Sequence, residues 1–339
     1  MAHYAIIGAG MAGLSALNQL ASQGHKVTVF DKSRGSGGRM ATKKVGAASW
    51  DMGAQFFRAH TEAFQQQLEQ WQQDGIISEW QASIWQIANN QASPSPDTVK
   101  RYVATPRMTG LSRYMLRCAS AFETESRIVR LLKRPAGWHL FSDDNREFGP
   151  FDKLIVAIPP EQANALLKTA DDLASLREAT HVDMNPCWTL LLSFNQPLAT
   201  DIDAAFVKDG PIGWISRNNS KPGRDAGESW VIQANHHWSK DHCNGERHGL
   251  METLQNAFWQ ALQLPPQPHA EIWLHRWLFS IPNVVEQPGT VVSNDDSVAL
   301  CGDWLQAPNI EGAWLSGNLA ARRLSGQPLP QQDTLEASL

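Results

Sequence analysis

A chain of 339 residues exceeds what one hydrophobic core usually serves, so two closely joined domains are expected. Hydrophobic residues at 42%, charged residues at 19% and a net charge of -5 describe an ordinary soluble protein and argue against a general nucleic-acid partner, whose phosphates favour a basic excess. No apolar run approaches the ~18 residues of a membrane span, and no basic region precedes the first apolar stretch, so a cytoplasmic protein without membrane contact is expected. Cys118, Cys187, Cys243 and Cys301 form no CxxC or metal-ligand pattern and read as reduced thiols, with no metal site.

Tyr4 to Ile7 reads as an apolar strand, followed by the turn Gly8-Ala9-Gly10-Met11-Ala12-Gly13. A helical pattern of Leu14, Leu17 and Leu20 stops at Gly24, and Val27 to Phe30 forms a second strand ending on Asp31. This is the order in which a dinucleotide pyrophosphate is held. Gly8 permits the tight turn, Gly10 lets the backbone approach the phosphates, and Gly13 lets the helix lie close on the strand, with the Met11 and Ala12 end of the helix facing the anion. An acid at position 31 suits a free ribose 2′-hydroxyl, so NAD or the adenosine half of FAD fits better than NADP.

Residues 32–49 are rich in Gly, Ser, Lys and Arg and build no core. They form either a surface linker or a glycine pair whose Arg39 wraps back over the pyrophosphate as a bidentate donor. The order GAGMAG, Asp31, SGGRM and Asp51-Met52-Gly53-Ala54-Gln55-Phe56-Phe57 resembles FAD-dependent oxidoreductases of the amine-oxidase and renalase group. The resemblance moves the expected cofactor to non-covalent FAD, met by Lys32, Gly38, Arg39, Met40, Ala54, Gln55 and Phe56.

Thr61 to Gln73 has the spacing of an amphipathic helix, Ile76 to Ile87 alternates as a strand, and Ala92 to Asp97 reads as a turn. A helix is expected from Thr105-Pro106-Arg107 to about Ala119, with Arg107 either capping it or reaching a phosphate. Arg127–Leu132, Gly137–Phe141 and Glu147-Phe148 form a small antiparallel meander, and Phe151 to Pro160 a buried strand ended by prolines. In the family that this segment resembles, Val129 or a neighbour meets the adenine.

Further on, Cys187–Phe194 and Trp230–Ala234 read as strands and Glu246–Leu262 as a helix. The run Trp214-Ile215-Ser216-Arg217-Asn218-Asn219-Ser220-Lys221-Pro222-Gly223-Arg224 resembles bacterial renalases. Trp214 with His236 or His237 is a candidate wall for a flat heteroaromatic substrate, and Lys221 and Arg224 are candidate contacts for a substrate phosphate. His237 is a candidate base or simply a histidine packed at a helix start, and adjacent histidines make poor metal geometry. The 14 tryptophans predict either an aromatic-lined cavity or a Trp-rich core. By the resemblance, Trp277 approaches the flavin.

The last motif is Val298 to Gly302-Asp303, then Ile310-Glu311-Gly312-Ala313 opening a helix to about Leu324. Asp303 can accept a ribitol hydroxyl, and a helix beginning at Gly312 would face the flavin edge that gathers negative charge on reduction.

The expected fold is α/β: a Rossmann-type FAD-binding domain with an inserted antiparallel meander, plus a mixed α+β substrate domain, an amine oxidase/p-hydroxybenzoate hydroxylase-like architecture. Residues 1–60, 105–161 and 289–326 are assigned to the FAD domain, 61–104 and 162–288 to the substrate domain, and 327–339 to a tail. The resemblance implies an oxidase that takes a hydride from 2- or 6-dihydro isomers of NAD(P)H and passes the electrons to O2 as hydrogen peroxide. A reaction between stacked rings needs orientation more than acid–base chemistry, which suits a sequence showing no catalytic triad or buried lysine. Two alternatives stand beside it. One is an amine oxidase or desaturase-type dehydrogenase, although Asn309 occupies the place of the tyrosine that flanks the flavin in monoamine oxidases. The other is a non-catalytic FAD-binding protein.

Overall fold

The computed structural model describes residues 1–283 and 288–329, so most of the assigned tail, residues 330–339, lies outside the described residues. Strand His3–Ile7 is followed by helix Met11–Ser22 and strand Lys26–Phe30, as the apolar periodicity predicts. These open a six-stranded sheet in the order Val291–Val292, Val298–Leu300, Lys153–Val156, His3–Ile7, Lys26–Phe30 and Ala121–Glu123. All pairings are parallel except that of Val291–Val292 with Val298–Leu300. The connections after His3–Ile7 and after Lys153–Val156 leave in opposite directions, which makes a crevice at the carboxyl ends of those two strands.

The meander is present as a three-stranded sheet of Ile128–Arg134, Gly137–Ser142 and Glu147–Phe151, inserted between two strands of the parallel sheet. Helix Met11–Ser22 and the last helix, Ile310–Ser325, cross closely. A Cβ on Gly317 would lie 2.0 Å from the Ala12 carbonyl oxygen, and Ser15 donates to the Trp314 carbonyl at 2.7 Å. Helix Glu62–Gln73, capped by Thr61, turns Phe64, Leu68 and Trp71 inward at helical spacing, and Phe64 meets Trp314 with ring centroids 5.4 Å apart.

A seven-stranded sheet forms the other layer, in the order Glu271–Pro282, Met184–Phe194, Glu228–Ala234, Ile212–Arg217, Ala204–Val207, Ile84–Ala88 and Gln91–Pro94. Its core, with helix Arg247–Leu262, takes Trp188, Trp230 and Trp259, so many tryptophans serve as packing. Three segments differ from the sequence expectation. Ile76 to Ile87 splits into Ile77–Glu79 and Ile84–Ala88, which belong to different sheets. Residues 92–94 of the expected turn belong to an edge strand, Gln91–Pro94, a position where proline leaves no ladder partner unmatched. Residues 42–51 are a hairpin, Thr42–Val45 with Ala48–Asp51, whose Trp50 is fully buried against Leu191 and Val231 and donates to the Leu192 carbonyl at 2.9 Å. The polar composition of 32–49 concealed a strap that is anchored by one tryptophan.

Alanine ordinarily stabilises a helix interior relative to glycine by roughly 1 kcal/mol. At Gly317 the backbone contact with Ala12 outweighs that gain, so Gly317→Ala is expected to lower stability by roughly 1–3 kcal/mol in urea unfolding. A stabilised variant would show that the two helices do not pack this closely.

Candidate functional site

The site is built where Ile7 and Val156 end side by side. Gly8, at φ +108°, has no room for a side chain, since a Cβ would lie 2.4 Å from the Ala157 carbonyl oxygen. A Cβ on Gly13 would lie 2.0 Å from the Gly8 oxygen, which confirms the close seating of helix on strand. Gly10 differs, because a Cβ there would meet nothing within 4 Å. It caps helix Met11–Ser22 without a side-chain hydrogen bond, so helix amides and open space occur together. Asp31 accepts from the Ala9 amide at 2.9 Å and the Ser33 amide at 2.8 Å, and its remaining lone pairs leave capacity for a ribose hydroxyl. The turn Gly38–Met40 folds over this place: the Gly37 amide donates to the Ala9 carbonyl at 2.8 Å, a Cβ on Gly38 would lie 3.5 Å from the Gly10 Cα, and Met40 is buried. Lys32 is exposed at the rim, and exposed Val129 falls at an irregularity in the meander pairing.

Arg39 and Asp303 were expected on the pyrophosphate and the ribitol, and the structure brings them to each other. The guanidinium binds the carboxylate through two bonds of 2.6 Å and also donates to the Ser280 carbonyl at 2.9 Å. Asp303 is buried, whereas the Arg39 side chain keeps 35% of its exposure, so the cation is the member open to a ligand. Gly302 abuts the Trp304 indole and donates its amide to Ser316 at 2.9 Å. The start of the last helix is more committed than expected. Asn309 accepts from the Gly312 amide at 2.7 Å, so this residue caps the helix. Glu311 accepts from the Thr61 amide and hydroxyl, each at 2.7 Å, and from His60, so its carboxylate is occupied by the protein. Gly312 is required by the loop beneath it, where a Cβ would lie 2.2 Å from the Ala307 oxygen, and Ala313 is buried beside it.

A buried polar network lies behind the strap. Asp51 accepts from Arg224 Nη2 at 2.5 Å and Nε at 3.1 Å, and from Thr42 and the Met108 amide at 3.0 Å each. Burial pushes this carboxyl upward, but Lys221 and Arg224 beside it hold it below the usual range. Gln55 donates to the Asp51 and Gly53 carbonyls and accepts from Ser216 at 2.7 Å and Lys221 Nζ at 2.9 Å, which uses its whole amide within the protein. Lys221 and Arg224 are therefore not the phosphate contacts expected; the turn Asn218–Ser220 folds both inward onto Asp51. Lys221 is also a buried lysine, which the sequence did not reveal. Burial is the main cause that brings its pKa down to about 7, with Arg224 adding to it and Asp51 opposing it. In sequence Lys221 and Arg224 read as phosphate contacts, and only their tertiary partner Asp51 reverses that reading.

In front of the network lie aromatic rings. Phe56 meets Trp214 at 5.5 Å and Trp80 at 6.3 Å, and Trp214 meets Phe206 at 4.7 Å. Trp214 is 93% buried, and its indole nitrogen has no hydrogen-bond partner. Ala54 reaches the Arg39 carbonyl through its amide at 2.9 Å, and Trp277 donates to the Met52 carbonyl at 3.0 Å, which places both at the strap. His236 lies apart, with Nδ1 3.2 Å from the Pro186 carbonyl, and His237 is exposed on helix His236–Asp241. Neither histidine joins the aromatic group. Trp80, which nothing in the sequence singled out as a site residue, does. No group of His, Cys, Asp or Glu able to hold a metal occurs among the described residues.

Residues 6–71 match the family model of the NAD(P)-binding Rossmann-like domain. A 4,4'-diapophytoene desaturase of Staphylococcus aureus (strain Newman) is 51% identical over 49 residues, 14% of this chain and 10% of that protein, so the match spans a tenth of the relative. Two solved structures correspond to 96% of this chain and 99% of their own: a provisionally assigned protoporphyrinogen oxidase from Exiguobacterium sp. 255-15, with TM-score 0.74 and 10% identity, and a triple variant of putrescine oxidase, with TM-score 0.73 and 10% identity. The chain shares the fold of these two proteins over nearly its whole length. No helix among the described residues is long and apolar enough to cross a membrane.

Because Lys221 titrates near 7 in the folded chain and near its ordinary 10.5 when unfolded, the unfolded state binds more protons between those values. Stability therefore rises with pH across that window, by on the order of 1 kcal/mol per pH unit from this group. Lys221→Met is expected to flatten that rise in urea midpoints taken from pH 6 to 9.5. Parallel curves for the two proteins would contradict a neutralised buried amine.

Proposed function

We propose that the protein is an FAD-dependent oxidoreductase that holds its cofactor non-covalently at the Gly10 crevice. The observation that carries this reading is the open space over Gly10, where the first amides of helix Met11–Ser22 have no side-chain cap. Donors of this kind suit a pyrophosphate, and Asp31 suits the adenosine ribose. The family-model match and the fold likeness support the same assignment. Bound FAD would supply a two-electron acceptor that is reoxidised by O2, with release of hydrogen peroxide.

As substrate we propose a 2- or 6-dihydro isomer of NAD(P)H, oxidised to NAD(P)+ by loss of a hydride. The run from Trp214 to Arg224 supports this through its resemblance to bacterial renalases, and Phe56, Trp80 and Trp214 offer apolar faces against which a nicotinamide can be oriented. A second reading, amine oxidation, is favoured by the fold likeness to putrescine oxidase.

Anaerobic mixing with dihydronicotinamide isomers and with simple amines separates the readings. Rapid loss of flavin absorbance with the isomers alone is expected, and bleaching by amines alone would establish the second reading in its place. Asp303→Ala is expected to weaken FAD retention roughly 10–100-fold, since it removes the charge-assisted bonds that fix Arg39. A variant that keeps stoichiometric FAD through desalting, with unchanged affinity, would exclude that role.

A further inference from the structure

With Lys221 and Arg224 turned inward, the contacts for a charged part of the substrate must lie elsewhere. A cavity of about 360 Å³ opens beside Trp80, lined by residues of 79–84 and 94–101 that include Glu79, Asp97, Lys100 and Arg101. Arg101 is 95% buried, donates to Asp97 at 2.5 Å and to the Val99 carbonyl at 3.1 Å, and leaves its Nε without an acceptor. Arg58 donates to the same Asp97 oxygen at 3.2 Å. Two guanidiniums thus share one carboxylate oxygen, while Lys100 is balanced by Glu79 at 3.6 Å. The group carries one uncompensated positive charge, a strained arrangement for partly desolvated cations unless an anion joins them. Burial and the neighbouring Arg58 both push Arg101 below its ordinary range, against the pull of Asp97.

The cavity meets the aromatic group at Trp80, and Arg58 stands outside its lining, joined to it through Asp97. Both guanidinium carbons lie over the Phe56 ring, Arg58 at 5.5 Å and Arg101 at 5.2 Å from its centroid, and Trp80 belongs to both features. We infer that this cavity is a subsite for the phosphate of a nucleotide substrate, with Arg58 and Arg101 as its donors, while the flat base lies toward Trp214. Guanidiniums bind phosphate oxygens bidentately, and a second anion beside Asp97 is what the excess charge requires. The inference rests on the dihydronicotinamide reading and adds which end of that substrate is recognised.

The FAD-loaded protein is tested with a 6-dihydronicotinamide dinucleotide and with the corresponding riboside, which lacks phosphate. The dinucleotide is expected to half-saturate flavin bleaching at a concentration roughly tenfold lower or more. Arg58→Gln leaves Asp97 paired with Arg101 alone and so preserves a neutral pair. It is expected to raise half-saturation by the dinucleotide about tenfold and to leave that by the riboside in place. Equal half-saturation by both substrates, or an equal effect of Arg58→Gln on both, overturns the subsite and leaves the oxidase reading intact. If neither substrate bleaches the flavin, the oxidase reading fails and inorganic pyrophosphate decides the subsite: thermal stabilisation that is lost in Arg58→Gln sustains it, and no stabilisation overturns it.

Discussion

Asp51 is the interaction on which the rest of the structure depends. Its buried carboxylate holds Arg224 from the loop between strands Ile212–Arg217 and Glu228–Ala234, the first amide of helix Met108–Leu116, and Thr42 across its own hairpin. Arg224 in turn donates to the Ala104 carbonyl at 2.6 Å, so one acid ties four separate stretches of chain. A buried pair of this kind is a poor source of net stability, yet removing one member costs about 3–5 kcal/mol because the other is left uncompensated. Its value lies in specifying position. The strap that carries Arg39 upstream and Gln55-Phe56 downstream is fixed to both layers at this residue.

Close backbone approaches complete the same task without charge. A Cβ at Gly53 would lie 1.9 Å from the Arg39 carbonyl oxygen, which explains why the strap can fold on itself beneath Trp277. Gly8, Gly13, Gly312 and Gly317 are likewise required by a neighbouring carbonyl. Gly10 stands apart because space, and not protein, lies beyond it. Among glycines that look equivalent in a motif, that contrast distinguishes a packing position from one that leaves open space.

Polar groups are distributed in two depths behind the aromatic rings. The inner set, Asp51, Arg224, Lys221, Gln55 and Ser216, is largely bonded to itself, and its low-polarity surroundings bring Lys221 near neutrality. The outer set, Arg58, Arg101 and Asp97, is charge-unbalanced, and its Asp97 and Arg101 line a cavity. Trp80 lies 5.4 Å from the Lys221 ammonium and meets Phe56, whose ring carries both outer guanidiniums.

The sequence alone determined the nucleotide half of the fold, because glycine spacing, strand hydrophobicity and the terminal acid at Asp31 are local constraints that short-range geometry settles. It also determined the meander and the final helix, whose periodicities are visible in their own residues. What only the tertiary structure decided is the direction in which polar side chains face. Arg39 and Asp303 meet across 264 positions, Lys221 is drawn inside by Asp51, and Trp80 and Arg101 become neighbours of Phe56 although nothing local marks them. Burial and charge pairing depend on long-range contacts, so the Lys-Pro-Gly-Arg run and a strap rich in glycine and lysine carry no sign of them until the hairpin closes on the seven-stranded sheet through Trp50.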